Sequence, residues 1–290
     1  MNLKNISVIA VLAVATTIIS CENKRTETVK NTEQVNEAET VADFPVFDWS
    51  EIQKLKNNTI KKLKRAKSEE EIVLIFWEDY HKLTNDYNEI LYQHKNYENL
   101  YNLLWAENPD PLALQFRQDV ETNGFGISQS EGYIYLVPST AFVRSEIIPL
   151  LNPISAEYLT LHCESIDREC CSDGAIIISI DELVNRIHKW GEFYEKIIGN
   201  DYKELAESQF YAYLSLLFFG IENTPVFNFR TKKLENKEVI NLMNKHIETH
   251  PTSKATEEFK LFLEKLEEED FKNTEGLQEF WLNRHPHIIN

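Results

Sequence analysis

The chain has 290 residues and carries 47 acidic against 30 basic side chains, a formal net charge of −17 at pH 7. Such a charge repels nucleic acid and anionic lipid headgroups, which excludes both as partners held by charge. Glycine is scarce, at 8 residues, well below the average of roughly 7%, and this argues against folds built on many tight turns or on glycine-rich phosphate loops.

The first twenty residues contain Lys4 and an apolar run from Ile6 to Ile19. That run is too short to cross a bilayer as a helix, which takes about 20 apolar residues, and it has the length of a signal-peptide core. Where it stops, the chain reads Ile18-Ile19-Ser20-Cys21. This resembles the lipobox of bacterial lipoproteins. The resemblance implies that the Cys21 thiol receives a diacylglyceryl group, that residues 1–20 are removed, and that the new N-terminus is acylated. Each buried methylene contributes about 0.8 kcal/mol and one chain alone binds only marginally, so two or three chains on Cys21 would hold the body on a membrane. The implied address is the bacterial cell envelope, facing the periplasm by default. An ordinary secreted protein with a Cys at the cleavage site, or an uncleaved anchor, are the alternatives.

Residues 21–43 follow with almost no large apolar side chain. Such a stretch buries too little surface to offset its ordering entropy, so it reads as a flexible tether. Its length of about 22 residues corresponds to an average span of roughly 25 Å.

An N-terminal helical unit is expected over residues 44–124. Asp48 can cap a helix running to about Ala66, with Ile52, Leu55, Ile60 and Leu63 inward. Ser68-Glu69-Glu70-Glu71 has the form of a capping box opening a second helix. Phe76, Tyr80, Leu83, Tyr87, Ile90, His94, Tyr97, Tyr101 and Leu104 then follow steps of four and three, a heptad-like row. Its aromatic character predicts a long helix laid across its neighbours, broken near Asn85-Asp86 or Asn96. The row reads as core-facing; the alternative is a stacking surface for sugar rings. Pro111 suits the first turn of a further helix ending at Gly124.

Residues 125–180 are expected to form a small central unit. Phe125 to Ser128 and Tyr133 to Val137, joined through Gln129-Ser130-Glu131-Gly132, read as a β-hairpin that must pack on the helices. Helices are expected from about Ser145 and from Ser155 to about Glu169. Ile176-Ile177-Ile178 reads as a short strand or a packed lead-in, and Ser179-Ile180-Asp181-Glu182 as another capping box.

Residues 181–290 read as a run of helices: to about Ile198, Tyr202–Phe219, Lys237–Glu248, Lys254–Glu269 and Gly276–Asn283. This part echoes itself at an offset of about fifty residues, Glu195-Lys196-Ile197 to Glu204-Leu205-Ala206 matching Lys245-His246-Ile247 to Lys254-Ala255-Thr256. The second copy, Ile247 to Ala255 with Pro251 in its turn, resembles the turn between TPR-like units of bacterial envelope proteins. The resemblance implies stacked helix pairs with a groove for a protein or peptide. The fold class expected is therefore mainly α, a helical array with TPR-like packing in the C-terminal part and a small central β-hairpin insert.

Few residues carry a chemical signature. On a helix to Glu169, Cys163 and Cys170 lie two turns apart, about 10.5 Å along the axis, beyond the roughly 7 Å that a disulfide allows between Cα atoms. Packing of free thiols as small hydrophobes is the favoured reading. A bridge between Cys163 and Cys171 near a frayed helix end, or a metal held by His162 with these thiols, are the alternatives. His246 and His250 have i, i+4 spacing, but Pro251 follows and no metalloprotease glutamate accompanies them. His285-Pro286-His287 falls in a tail expected to fray. Gly126-Ile127-Ser128-Gln129-Ser130 misses a nucleophile elbow by its last residue. Glu267-Glu268-Glu269-Asp270 reads as solvated surface. The expected chemistry therefore includes lipidation at Cys21 and no catalytic residue, metal or cofactor. The leading expectation is a non-enzymatic envelope module that binds another protein or a peptide. The alternative is a glycan- or peptidoglycan-contacting binder or an unrecognised hydrolase, motivated by an aromatic content of 11%.

Overall fold

A computed structural model describes residues 43–65, 68–130, 132–197 and 202–285. The expected signal peptide, Cys21 and all of the expected tether but Asp43 lie outside them. Among the described residues the fold is mainly α-helical, with three two-stranded hairpins.

The chain enters through α1 (Ser50–Leu63), where the Asp48 Oδ1 accepts the Ser50 N–H at 3.0 Å and Ile52 is buried. The long helix α2 (Glu70–Tyr92) opens without the expected capping box: Ser68 bonds the Glu70 carboxylate, and Glu69 Oε2 accepts the Asn152 N–H at 2.8 Å. Phe76, Tyr80 and Tyr87 face the core as expected, but Ile90 is exposed and Leu91 takes the inward place. A row stepping by fours and threes drifts about 20° per heptad on a straight helix, so by Ile90 it has rotated off the buried arc. The helix breaks at the second of the two expected points, and α3 (Tyr97–Leu104) follows from Asn96.

After α4 (Pro111–Thr122), whose Asp110 N-cap accepts the Leu112 N–H at 2.7 Å, Gly124 turns the chain with φ +90°. Strands β1 (Phe125–Ser130) and β2 (Tyr133–Pro138) pair antiparallel, Phe125 opposite Pro138 and Ser130 opposite Tyr133. The link is tighter than the expected four-residue turn because Gln129 and Ser130 stay in the ladder. The hairpin is fastened to the helices by side chains that reach its backbone. Asn88 Nδ2 donates to the Leu136 carbonyl at 3.0 Å while Asn88 Oδ1 accepts the Leu136 N–H at 2.6 Å, and Tyr97 Oη donates to the Ile134 carbonyl at 3.0 Å. At its base the Tyr80 hydroxyl donates to the Gly124 carbonyl and accepts the Ser139 N–H at 3.0 Å.

Ser139 also caps α5 (Thr140–Glu146), accepting the Phe142 N–H at 3.2 Å. This helix starts before Ser145 because Ser139 is the available cap. A short 3₁₀ turn leads to α6 (Pro153–Asp167), which stops before Cys170 rather than running to Glu169. Beyond it β3 (Cys171–Ser172) and β4 (Ala175–Ile176) pair around Asp173 and Gly174, both at positive φ.

The C-terminal helices are α7 (Ile180–Lys196), α8 (Lys203–Phe219), α9 (Lys237–Thr249), α10 (Lys254–Glu268) and α11 (Glu275–Arg284). Of the capping box expected before α7 the Ser179 half forms, its Oγ accepting the Glu182 N–H at 3.2 Å, while the Glu182 carboxylate turns to Arg186 Nε at 3.0 Å. Both copies of the fifty-residue echo fall on consecutive helices, α7 with α8 and α9 with α10, and α7 packs on α8, α9 and α10, an arrangement compatible with a helical-repeat array. Gly191 allows the close approach of α7 to α8: a Cβ there would stand 2.9 Å from the Phe210 ring. Between α8 and α9 lie β5 (Gly220–Ile221) and β6 (Thr224–Pro225), whose Asn223 N–H donates to the Gly174 carbonyl at 2.8 Å and ties the two small hairpins together. Buried side chains from Phe47 to Trp281 form one continuous cluster.

Candidate site between α9 and the end of α10

Residues 226–236 cross the surface between β6 and α9, and their path is set by backbone bonds to the end of α10. Leu234 N–H donates to the Phe271 carbonyl at 3.0 Å and Asn273 N–H to the Lys232 carbonyl at 2.8 Å, while Lys233 pairs with Lys272. Asn228 Oδ1 accepts the N–H groups of Arg230 and Thr231 at 2.9 and 2.8 Å, which folds the tip of the loop. Lys232, Asp270 and Phe271 all have positive φ, near 59°, 54° and 54°. None is glycine, and left-handed backbone at such residues costs on the order of 1 kcal/mol or more each.

The product of these turns is an open cavity of about 450 Å³ lined by Lys233, Leu234, Lys237, Ile240, Asn241, Asp270 and Phe271. Its apolar wall is Leu234, Ile240 and the half-exposed Phe271. Asp270 is neutralised by Lys272 at 2.7 Å, and its carboxyl is held below the ordinary range chiefly by that hydrogen bond. Among the described residues neither Lys233 nor Lys237 is within ion-pair distance of a carboxylate. Phe229 lies in the loop, 85% exposed, with the Lys232 ammonium 5.0 Å from its ring centre. The cavity therefore offers two ammonium groups against an apolar wall, on a chain whose net charge is −17. A local positive field on such a body draws anionic groups toward the cavity. No Ser, Cys or His lines it.

The residues that sequence reading singled out lie elsewhere. Tyr80 and Tyr87 are buried and Tyr97 and Tyr101 partly so, Tyr97 stacking on Tyr133 and Tyr101 on Trp105. The aromatic row is thus core material over half its length and not a continuous stacking platform. Cys163 is buried, and burial pushes its thiol up to about 11; Cys163, Cys170 and Cys171 are all free, so the bridge between Cys163 and Cys171 is not made. His162 packs its ring against Trp77 and Tyr158, and burial, helped by His81, pushes it down to about 4. Among the described residues no three His, Cys, Asp or Glu side chains are arranged to hold a metal ion. Ser128 lies in β1, its hydroxyl 3.2 Å from that of Tyr135. Of the acidic run, Glu268 and Glu269 pair with Lys265.

His285 is a correction. It is 4% exposed rather than frayed, its ring 3.7 Å from Tyr211 and 4.4 Å from Trp281. It belongs to a network that sequence reading missed around Glu258, a 2%-exposed carboxylate approached by Lys254 at 3.3 Å, Arg284 at 3.5 Å and His285 at 3.8 Å. The Lys254–Glu258 spacing of i, i+4 was the available signal. Pro286 and His287 lie outside the described residues.

No protein-family model matches the chain, and neither a curated protein nor a solved structure shows significant similarity to it.

Proposed function

We propose that the protein is a lipid-anchored component of the bacterial cell envelope that binds a partner protein through a segment carrying acidic and apolar side chains, seated between α9 and the end of α10. The observation that carries the binding reading is the juxtaposition of Lys233 and Lys237 with Leu234, Ile240 and Phe271, the one carboxylate of the lining, Asp270, being held by Lys272. An acidic side chain of the partner meets the ammonium groups, and an apolar neighbour covers the wall. Two exposed charge contacts add little affinity by themselves, so the apolar contact supplies most of the binding and the charges set register and approach rate. The action is binding rather than catalysis, since the cavity lining brings no hydroxyl, thiol or imidazole to a ligand.

The anchor rests on Cys21 and its lipobox-like setting. Among the described residues no helix is long and apolar enough to cross a membrane, so the acyl chains supply the membrane attachment in this reading.

Two experiments separate the two halves of the proposal. Replacing Cys21 by Ser releases the protein from the membrane fraction; continued pelleting with lipid overturns the anchor. A photo-crosslinking residue at Asn241 captures a specific partner in intact cells, and Lys233→Glu with Lys237→Glu abolishes that product. A crosslink unaffected by charge reversal removes this cavity as the binding site.

A further inference from the structure

Cys170 and Cys171 are adjacent, free and partly exposed. In a regular strand neighbouring side chains point to opposite faces, which would hold the two sulfurs apart. Here the chain bends at Cys170, between the end of α6 and β3, and the two adjacent thiols lie close enough to act on each other. The bend is fixed from three sides. Ile177 N–H donates to the Cys170 carbonyl at 2.9 Å, Cys171 pairs with Ile176 across the small hairpin, and Arg186 Nη2 donates to the Arg168 carbonyl at 2.7 Å. Arg186 is 4% exposed and lies close enough to act on both sulfurs. The thiols differ in acidity. The Cys170 thiol beside it holds the Cys171 thiol below the ordinary range, burial opposing and the Arg186 charge assisting. The same interaction, with burial, pushes Cys170 up.

We propose that Cys170 and Cys171 form a two-electron redox pair that closes into a disulfide between adjacent residues when it meets a disulfide-bearing oxidant. The Cys171 thiolate attacks one sulfur of the oxidant, R–S–S–R, breaking its S–S bond and expelling one RS⁻. The Cys170 thiol loses its proton to solvent and attacks the Cys171 Sγ of the mixed disulfide, forming the intrachain bond and expelling the second RS⁻. Two protein thiols are oxidised and one oxidant disulfide is reduced to two thiols, each RS⁻ taking up a proton. Attack by the more acidic partner and resolution by its neighbour is the order that exchange chemistry favours. The bond formed lies between residues held in a bend, so it belongs to the labile class of disulfides rather than the structural one. Neither the anchor nor the binding cavity enters this argument.

The test uses the full chain with Cys21 in place. After incubation with bis(2-hydroxyethyl) disulfide and blocking of remaining thiols, the peptide holding both residues loses about 2 Da, the two hydrogens of a dithiol, and dithiothreitol restores it. Cys170→Ser arrests the reaction as a stable mixed disulfide on Cys171, and Cys163→Ser changes nothing. Arg186→Gln, confirmed folded by thermal melting, raises the pH midpoint of alkylation at Cys171, a change that loss of packing alone does not produce. Separate adducts on Cys170 and Cys171 in the unaltered chain, or a bridge that includes Cys163, overturn the proposal.

Discussion

The imidazole of His188 on α7 lies 4.4 Å from that of His250 at the end of α9, ring centre to ring centre. His246, one turn earlier on α9, completes a triangle at 5.1 Å from His188 and 4.6 Å from His250. Three imidazoles in mutual contact are compatible only while most stay neutral.

The pH dependence follows from the direction of the shifts. Burial, then the neighbouring His188 and His250, push His246 down to about 4, and burial with His250 lowers His188 against a weaker opposing effect of Glu192. Ser253, the other polar group on His246, sits 3.2 Å from its Nε2 and supplies no charge. A folded-state pKa below the unfolded value means the unfolded chain binds the proton more tightly. The contribution is therefore present above about 6.5 and lost as pH falls toward about 4. Urea midpoints should fall across this window, and His246→Gln should flatten the fall by roughly 1–2 kcal/mol after allowance for solvent screening. An unchanged profile in the variant removes the triangle as the cause.

Glu258 makes a second prediction. Burial alone would raise its carboxyl, but the His285 ring beside it and the charges of Lys254 and Arg284 outweigh it and hold it below the ordinary range. Its stabilisation is thus present above the ordinary carboxylate pKa and lost as pH falls through the lower folded value. Glu258→Gln leaves Lys254 with Glu257 alone and takes the anion from Arg284 and His285, and should cost about 3 kcal/mol. Because Arg284 and His285 close α11, hydrogen exchange over residues 275–285 should accelerate more than over α7. Uniform acceleration would mean that Glu258 does not hold α11 in place.

Gly220 carries a third. It sits at φ +71°, ψ −164°, and a Cβ would stand 2.2 Å from the Thr224 carbonyl oxygen. Gly220→Ala should lower stability by about 3 kcal/mol or more, through backbone that only glycine adopts plus a clash with main chain. Gly132 also has positive φ but has open space around it, so Gly132→Ala is the control and should cost about 1 kcal/mol.

These residues show which parts of the fold were legible. Helices were, because their signals are local: Ser179 and Pro111 announce starts, and the ends at Phe219 and Thr249 lie within a residue of expectation. The two small hairpins were not, since β3–β4 and β5–β6 have two residues per strand and leave no alternation to read. Ser68 failed as a cap because its hydroxyl goes to the Glu70 carboxylate, and Glu69, at the start of α2, is held by Asn152, 83 residues away. The candidate cavity was hidden by the same kind of distance along the chain. Lys237 and Ile240 are one turn apart, but Phe271 reaches them only through the pairing of Lys233 with Lys272.

Of the three side chains that fasten the central hairpin, Asn88 holds both polar groups of one strand residue, and that gives the last prediction. Asn88 is 7% exposed and satisfies both the N–H and the carbonyl of Leu136. Two strands alone are marginal in water, and an unpaired buried backbone group costs about 1–3 kcal/mol. Asn88→Ala strands two such groups and should destabilise the protein by about 2–4 kcal/mol. Asn88→Asp keeps the acceptor for the Leu136 N–H but turns a carboxylate toward the Leu136 carbonyl, so its penalty should shrink as pH falls and the carboxyl gains a proton to donate. Urea unfolding of the two variants at pH 7 and pH 5 distinguishes them. Equal, pH-independent losses would show that Asn88 fills space beneath β2 rather than bonding its backbone.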